Sequence, residues 1–340
     1  MPRTPDPLAP DAPLLTRAGD LVVAVVGPTA SGKSDLALDL AEALPGVLGA
    51  GAGEIVSADA LQLYRGMDVG TAKTPGEERR GIAHHQIDVL DVVEEASVAR
   101  YQEDARADLD AILGRGGVAV VAGGSGLYQR ALLDVIDFPG TDPDVRGRLE
   151  AEAEGPLGSR GLHARLAELD PVSAKRIDPH NARRIIRALE VVELTGRPYS
   201  SHMPAKVFVR PSLLLAIRRD LSELDERIAL RTRRMFADGL LDETRALLKQ
   251  GLREGRTARR ATGYAEAIAV VDGTMSEAEA ADSIALATRR LARRQIKWLR
   301  PDPRVVWLDA DDPDPLLDRA IALVSETAEA ELARAATVGA

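Results

Sequence analysis

Eight residues near the N-terminus, Gly27-Pro28-Thr29-Ala30-Ser31-Gly32-Lys33-Ser34, have the types and spacing needed to hold phosphate. The pattern is G-x-x-x-x-G-K-S, placed between an apolar run and a helical stretch. In that setting Gly27 and Gly32 permit a tight turn. Successive backbone N–H groups then point inward at phosphate oxygens, with the positive end of a helix behind them. Lys33 adds a point charge for the terminal phosphates. Ser34 offers its hydroxyl to a Mg²⁺ ion, mostly through water, while the ion bridges phosphate oxygens. The loop alone leaves open which molecule carries the phosphates and whether a phosphoryl group moves or a diphosphate leaves.

Three chemistries compete for such a loop. A GTPase switch needs Asp-x-x-Gly after a strand and an Asn/Thr-Lys-x-Asp guanine reader. Asp137-Phe138-Pro139-Gly140 matches the first by chance, and nothing matches the second. A nucleotide or small-molecule kinase fits the size and would act by positioning and electrostatics. The third chemistry uses the diphosphate as a leaving group. Asp59, at the end of the run Glu54–Ala58, bears on the choice. It is expected at the C-terminal end of a strand adjacent to the P-loop strand, where open α/β sheets place ligands. A carboxylate there is a poor phosphate ligand but a good general base. It is equally a favoured helix cap.

These groups need a scaffold, and the first half of the chain supplies one. Leu21–Val26, Glu54–Ala58, Gln86–Leu90 and Val118–Ala122 read as strands; Lys33–Leu44, Ser97–Arg115 and Ser125–Val135 read as helices. Strand and helix in alternation predict an α/β fold, a P-loop NTPase-like parallel sheet with flanking helices. The strands are unbroken apolar runs, as buried parallel strands are. After Phe138-Pro139-Gly140 the pattern turns helical to about Thr195, before Leu213–Ile217 and Val305–Leu308 read as strands again. The expected domains are a disordered leader at 1–19, a catalytic core at 20–138 and 209–312, an inserted all-helical domain at 139–208, and a C-terminal helix and tail at 313–340.

Composition narrows the partners. No cysteine is present among 340 residues, which excludes disulfides and thiolate metal sites. No apolar run is long enough for a membrane span. Five prolines in the first thirteen residues, without an apolar core, do not make a signal peptide. A cytoplasmic monomer is expected. The net charge of −9 argues against a general nucleic-acid coat, but local arginine clusters can still steer RNA. One cluster is Arg183, Arg184 and Arg187 on a helical face opposite Ile185, Ile186, Leu189 and Val192. Another is Arg289, Arg293, Lys297 and Arg300, with Leu291, Trp298 and Leu299 turned to the core.

Taken together, GPTASGKS (27–34), SADALQLYRGMDVGTAK (57–73), HHQIDV (84–89), VVAGGSGLY (120–128), RALEV (187–191) and RRQIKWLR (293–300) resemble the tRNA dimethylallyltransferase, or isopentenyltransferase, family from about Val22 to Leu308. Kinases share the loop but not the string that follows Asp59. The resemblance implies transfer of a dimethylallyl group from its diphosphate to N6 of the adenosine 3′ of the anticodon. The P-loop would then hold dimethylallyl diphosphate with Mg²⁺. Asp59 would take the N6 proton, and Ser125, where the family usually has Thr, would position the reacting groups. Arg227 and Arg231 match arginines turned toward the diphosphate. For the tRNA anticodon stem-loop, the resemblance implies contacts from Asp59, Ala60, Leu61, Gln62 and Ser125. It implies further contacts from Arg146, from Arg183, Arg184, Ile185, Ile186 and Arg187, and from Arg260, Gly263 and Tyr264. Ala265 departs from the basic residue common after Gly-Tyr. The adenine has to leave its stack to react. The alternatives without the resemblance are a P-loop kinase and an RNA-binding ATPase.

Overall fold

Five valines and alanines in a row, Val22–Val26, are wholly buried and form the centre of a six-stranded sheet. The computed structural model describes residues 7–202 and 206–338. Its strands are β1 (Val22–Val26), β2 (Gly53–Ser57), β3 (His84–His85), β4 (Val118–Ala122), β5 (Ser212–Arg218) and β6 (Val305–Asp309), in the order β3-β2-β4-β1-β5-β6. All pairings are parallel. Each fully buried Val or Leu of these strands contributes roughly 1.5–3 kcal/mol relative to exposure.

Helices cover the sheet. Helix α1 (Lys33–Leu48) lays Leu36, Ala37, Leu40, Ala41 and Leu44 on it, at helical spacing. Between the strands run α2 (Val98–Gly114) and α3 (Gly126–Leu133). After the insertion come α8 (Leu221–Ala237), α9 (Leu240–Lys249), α10 (Tyr264–Val271) and α11 (Glu277–Leu299). The last helix, α12 (Leu316–Val338), joins the core of β1 and α1 through Ala320, Val324 and Ala328, one face four residues apart.

Several expectations are corrected. The strand before Asp59 does not lie next to β1, because β4 stands between them. Apolar throughout, β4 takes the inner place, while β2 carries Glu54, whose charge is met by Arg115 and His85. The strand expected at Gln86–Leu90 is only His84–His85, since Gln86 and Asp88 have left-handed φ of 57° and 58°. Helix α1 runs past Pro45 to end at left-handed Gly49. The leader expected to be disordered is ordered over its described part, from Pro7. Leu8 bridges Phe208, and Leu15 is buried in the core.

Two compact units divide the chain at Val135–Ala205 rather than at 139–208. Phe208 belongs to the sheet unit because it is fully buried there and bridges Asp134. The second unit packs α4 (Pro143–Glu154), α5 (Gly158–Leu169), α6 (Pro171–Arg176) and α7 (Ala182–Thr195) around Leu149, Leu166, Ile185 and Leu189. Beside this core lies Glu190, fully buried. It accepts hydrogen bonds from Arg146 (2.7 Å), Arg187 (2.8 Å) and the Asp142 N–H (3.2 Å).

Burial pushes the Glu190 carboxyl up, but the bonds from Arg146 and Arg187 outweigh it and hold the group below its ordinary 4.5. A depressed pKa gives stability that is full above the unfolded value and lost as pH falls through the lower folded one. Glu190→Ala should destabilise this unit toward the low end of roughly 1–3 kcal/mol, since both arginines keep partial contact with water. Hydrogen exchange in α4–α7 measures the effect. Exchange unchanged near neutral pH contradicts it, and the difference from wild type should shrink in acid below about 4.5.

Candidate active site

Where β1 ends, the phosphate loop turns on left-handed residues: Gly27 (φ 141°), Ala30 (φ 63°) and Gly32 (φ 95°). Its outer carbonyls are tied back by arginines from the β5 side. Arg219 Nε donates to Ser31 O at 2.8 Å and Arg227 Nε to Ala30 O at 2.8 Å. Fixing those carbonyls outward fixes the orientation of the peptide planes, which is what makes the loop an anion cradle. Arg227 therefore holds the loop from behind, and it lines neither cavity described below. Arg231, one turn on, faces inward and donates to Thr29 Oγ1 (3.1 Å) and Thr71 O (3.3 Å).

Two cavities meet at this loop, of about 560 and 60 Å³, and they share Thr29, Lys33, Asp59, Thr71 and Arg231 as walls. Ser34 lines the smaller one. The larger is walled on its apolar side by Leu61, Leu127, Ile228, Met235, Leu291 and Trp298. Leu291 and Trp298 were expected in the core; both are half-buried and face this space, while Leu299 is buried. Arg260 and Arg294, both exposed, line the same cavity. The basic stripe of α11 is offset from its expected face: Arg293 is bound to Asp225 (2.9 and 2.8 Å), and Arg294 is the arginine that lines the cavity.

Asp59 Oδ1 accepts from Leu61 N at 3.0 Å, which closes a turn and caps no helix. Ala60 N in turn donates to Ser125 Oγ at 3.3 Å. Ser125 stands at the N-terminus of α3 but makes no side-chain cap there, so the capping alternative for it fails. Gln62 Oε1 accepts from Ser57 Oγ at 3.1 Å. The loop that follows is wired from beneath. Lys73, nearly fully buried, bonds Asp68 and Asp88 (2.6 Å each) and Tyr64 O (2.9 Å). Glu243 accepts from the N–H groups of Asp68, Val69 and Gly70 (3.0, 2.8 and 3.2 Å). Tyr264 donates to Glu243 Oε1 at 2.5 Å and is wholly buried, as is the side of Gly70 against its ring. Gly263 is buried too. Tyr264 thus shapes the loop and offers no stacking surface.

In the helical unit Arg183 and Arg184 are exposed, Arg146 and Arg187 are bound to Glu190, and Ile185 and Ile186 are core residues whose side chains face away from solvent. Sequence reasoning missed Arg219, Glu243, Arg294 and Gln295. Only Gln295 and Arg294 sit in a motif that was singled out, RRQIKWLR, and nothing in residue type distinguished them from a helix face.

The family model for IPP transferase matches residues 62–302. The chain belongs to the IPP transferase family. Among curated relatives of this chain, the tRNA dimethylallyltransferase of Kineococcus radiotolerans is 54 % identical over 299 residues, covering 88 % of this chain and 94 % of the other. That of Thermobifida fusca is 55 % identical over 312 residues, covering 90 % and 94 %. Among solved structures, the tRNA isopentenylpyrophosphate transferase of Bacillus halodurans superposes with TM-score 0.66 at 35 % identity, covering 92 % and 98 %. A eukaryotic dimethylallyltransferase acting on tRNA superposes with TM-score 0.73 at 25 % identity, covering 86 % and 74 %. The α/β fold is shared with these transferases.

Lys33 titrates in an informative range. Burial pushes its ammonium down to about 8 from 10.5, with Arg231 pushing the same way and Asp59 opposing. A diphosphate binds the charged form, so affinity for an alkyl diphosphate should weaken as pH rises through about 8. Calorimetry across that range checks it. Lys33→Arg, which stays charged, should remove the bend; a bend that persists in this variant contradicts the assignment.

Proposed function

We propose that this protein moves a dimethylallyl group from dimethylallyl diphosphate to N6 of the tRNA adenosine 3′ of the anticodon. One observation carries the reading: the phosphate loop, through Thr29 and Lys33, and a carboxylate, Asp59, wall the same two cavities, and Arg231 lines both. A kinase needs its base beside an acceptor hydroxyl and a pocket for a nucleotide. The apolar wall of Leu61, Leu127, Ile228 and Trp298 suits an allyl group and a flipped base instead.

The chemistry follows from the placement. The bond between the allylic carbon and the diphosphate oxygen breaks, and the electron pair leaves with the diphosphate. The N6–C bond forms as the proton on N6 passes to Asp59. Lys33, Arg231 and the loop N–H groups stabilise the charge growing on the leaving group. Ser125, bonded to Ala60 N, holds the Asp59 turn against the α3 loop. Among the described residues no group of three His, Asp or Glu gathers as a metal site. Ser34 lines the smaller cavity and would hold Mg²⁺ through water, together with phosphate oxygens, since this ion keeps much of its hydration. The ion would supply further charge neutralisation on the diphosphate.

Arg260 and Arg294, exposed on the larger cavity, would meet the anticodon stem-loop backbone. In the helical unit, Arg183 and Arg184 are exposed and available for RNA. No helix among the described residues is long and apolar enough to cross a membrane. We take the working enzyme to be a cytoplasmic monomer.

Incubation with labelled dimethylallyl diphosphate and unmodified tRNA should place label in the RNA. No label, with ATP consumed on a small acceptor, would sink the proposal. Asp59→Ala should lower turnover by about 10²–10⁴-fold, the usual contribution of a general base, with donor affinity nearly unchanged. Arg294→Ala should weaken RNA binding and reduce the salt slope by about 1; an unchanged slope assigns the residue elsewhere.

A further inference from the structure

The side chain of Gln295 spans the two loops that carry the site. From α11 its Oε1 accepts the Thr29 N–H at 2.8 Å, and its Nε2 donates to Gly124 O at 2.9 Å. Only a primary amide of this length makes both bonds at once. A carboxylate lacks the donor, and an apolar chain lacks both. The fit is close: a Cβ on Gly124 would come within 2.5 Å of Nε2. One turn on, Trp298 meets Gly126 in the same way, at 2.6 Å from an added Cβ. The sequence Gly123-Gly124-Ser125-Gly126 therefore lies flat on two side chains of α11, and this fixes the height of Ser125.

Each end of the bridge leads to a reacting group. Thr29 belongs to the phosphate loop, and its hydroxyl takes Arg231. Gly124 precedes Ser125, whose hydroxyl holds the turn of Asp59 through Ala60 N. Gln295 is thus a direct tie between the phosphate holder and the arm carrying the base. Two further ties hold Gly123 rather than Gly124: Gln129 donates to Gly123 O at 2.6 Å from α3, and the Gly123 N–H donates to Val25 O at 3.3 Å at the end of β1.

We infer that Gln295 is a positioning residue that sets the distance between the leaving diphosphate and the Asp59–Ser125 arm. It touches neither the allyl group nor the base in this role. The inference rests on the dimethylallyl-transfer reading of the site. Near-attack alignment is sensitive to such spacing; a shift of about 1 Å away from the chemistry can cost 10²-fold. The alternative is that Gln295 merely packs α11 on the sheet.

The test separates these. In Gln295→Ala the remaining loop amides, Lys33 and Arg231 still hold a diphosphate. The donor KM should change less than about threefold, while kcat falls by about 10–100-fold. Gln295→Met keeps the packing volume and should show the same split, which guards against an alanine variant that does not fold. Gln295→Glu keeps the acceptor for Thr29 but loses the donor and adds a negative charge beside the phosphates, so its donor KM should rise as well. Gly124→Ala should reproduce the kcat loss by displacing the carboxamide. The double variant Gly124→Ala with Gln295→Met should lose no more than either alone, because one interaction is being removed twice. Wild-type kcat in Gln295→Met, a loss confined to KM, or additive losses in the double variant would overturn the inference. If the wild-type enzyme itself transfers no dimethylallyl group to tRNA, the underlying functional reading fails instead.

Discussion

A carboxylate base and a diphosphate carry charge of the same sign, yet the proposed reaction needs both on the walls of one cavity. Repulsion between them would drive off the donor or neutralise the base unless cations stand between. Lys33 and Arg231 line the same two cavities as Asp59, and both feel its charge. Burial lowers the affinity of each cation for its proton, and Asp59 raises it again. The arrangement is self-consistent: the cations are held charged by the base they shield, and they are freed to meet phosphate when it arrives. In a half-dry cavity such charges act far more strongly than in water. The same arrangement confines the chemistry to a donor whose leaving group is an anion.

Everything around the cavity keeps that spacing. The buried β1 brings the phosphate loop to the sheet's end, and β4 delivers Ser125 between it and the Asp59 arm. Arg219 and Arg227 hold the loop's carbonyls outward. Lys73 and Glu243 fasten the chain after Asp59 from below, through two carboxylates and three backbone amides. Gln295 ties the halves across the top. Lys73 is buried and Arg219, Arg227, Glu243 and Gln295 are half-buried, and in such a bonded network a single unpaired member is costly. That explains why long stretches of the motif after Asp59 serve geometry and make no contact with the cavity.

The sequence made the phosphate loop, the parallel sheet and Asp59 legible because each rests on local rules: glycine at a turn, unbroken apolar strands, a carboxylate at a strand end. Strand order was not local. Only packing decides that β4 lies between β2 and β1, and the wrong neighbour was therefore assigned to Asp59. The two left-handed residues Gln86 and Asp88 hide inside an apolar-looking run, and they shortened β3. Arginines were the hardest to read. Spacing along a helix showed a basic face on α11, but it could not show that Asp225 claims Arg293 and leaves Arg294 to the cavity. Nor could it show that Glu190 occupies Arg146 and Arg187 while Arg183 and Arg184 stay exposed. Tyr264 is expected from the resemblance to contact the RNA, yet its ring is sealed against Gly70.

The separation of base and leaving group by two cations is the central claim, and a crystal structure of the enzyme with Mg²⁺, an unreactive thio analogue of the donor and an anticodon stem-loop tests it most directly. The expected result has the diphosphate on residues 27–34 in contact with Lys33 and Arg231, and the adenine amine within hydrogen-bond reach of Asp59. Asp59 then makes no bond to metal or phosphate. A diphosphate lying elsewhere, or Asp59 ligating the metal, would contradict it.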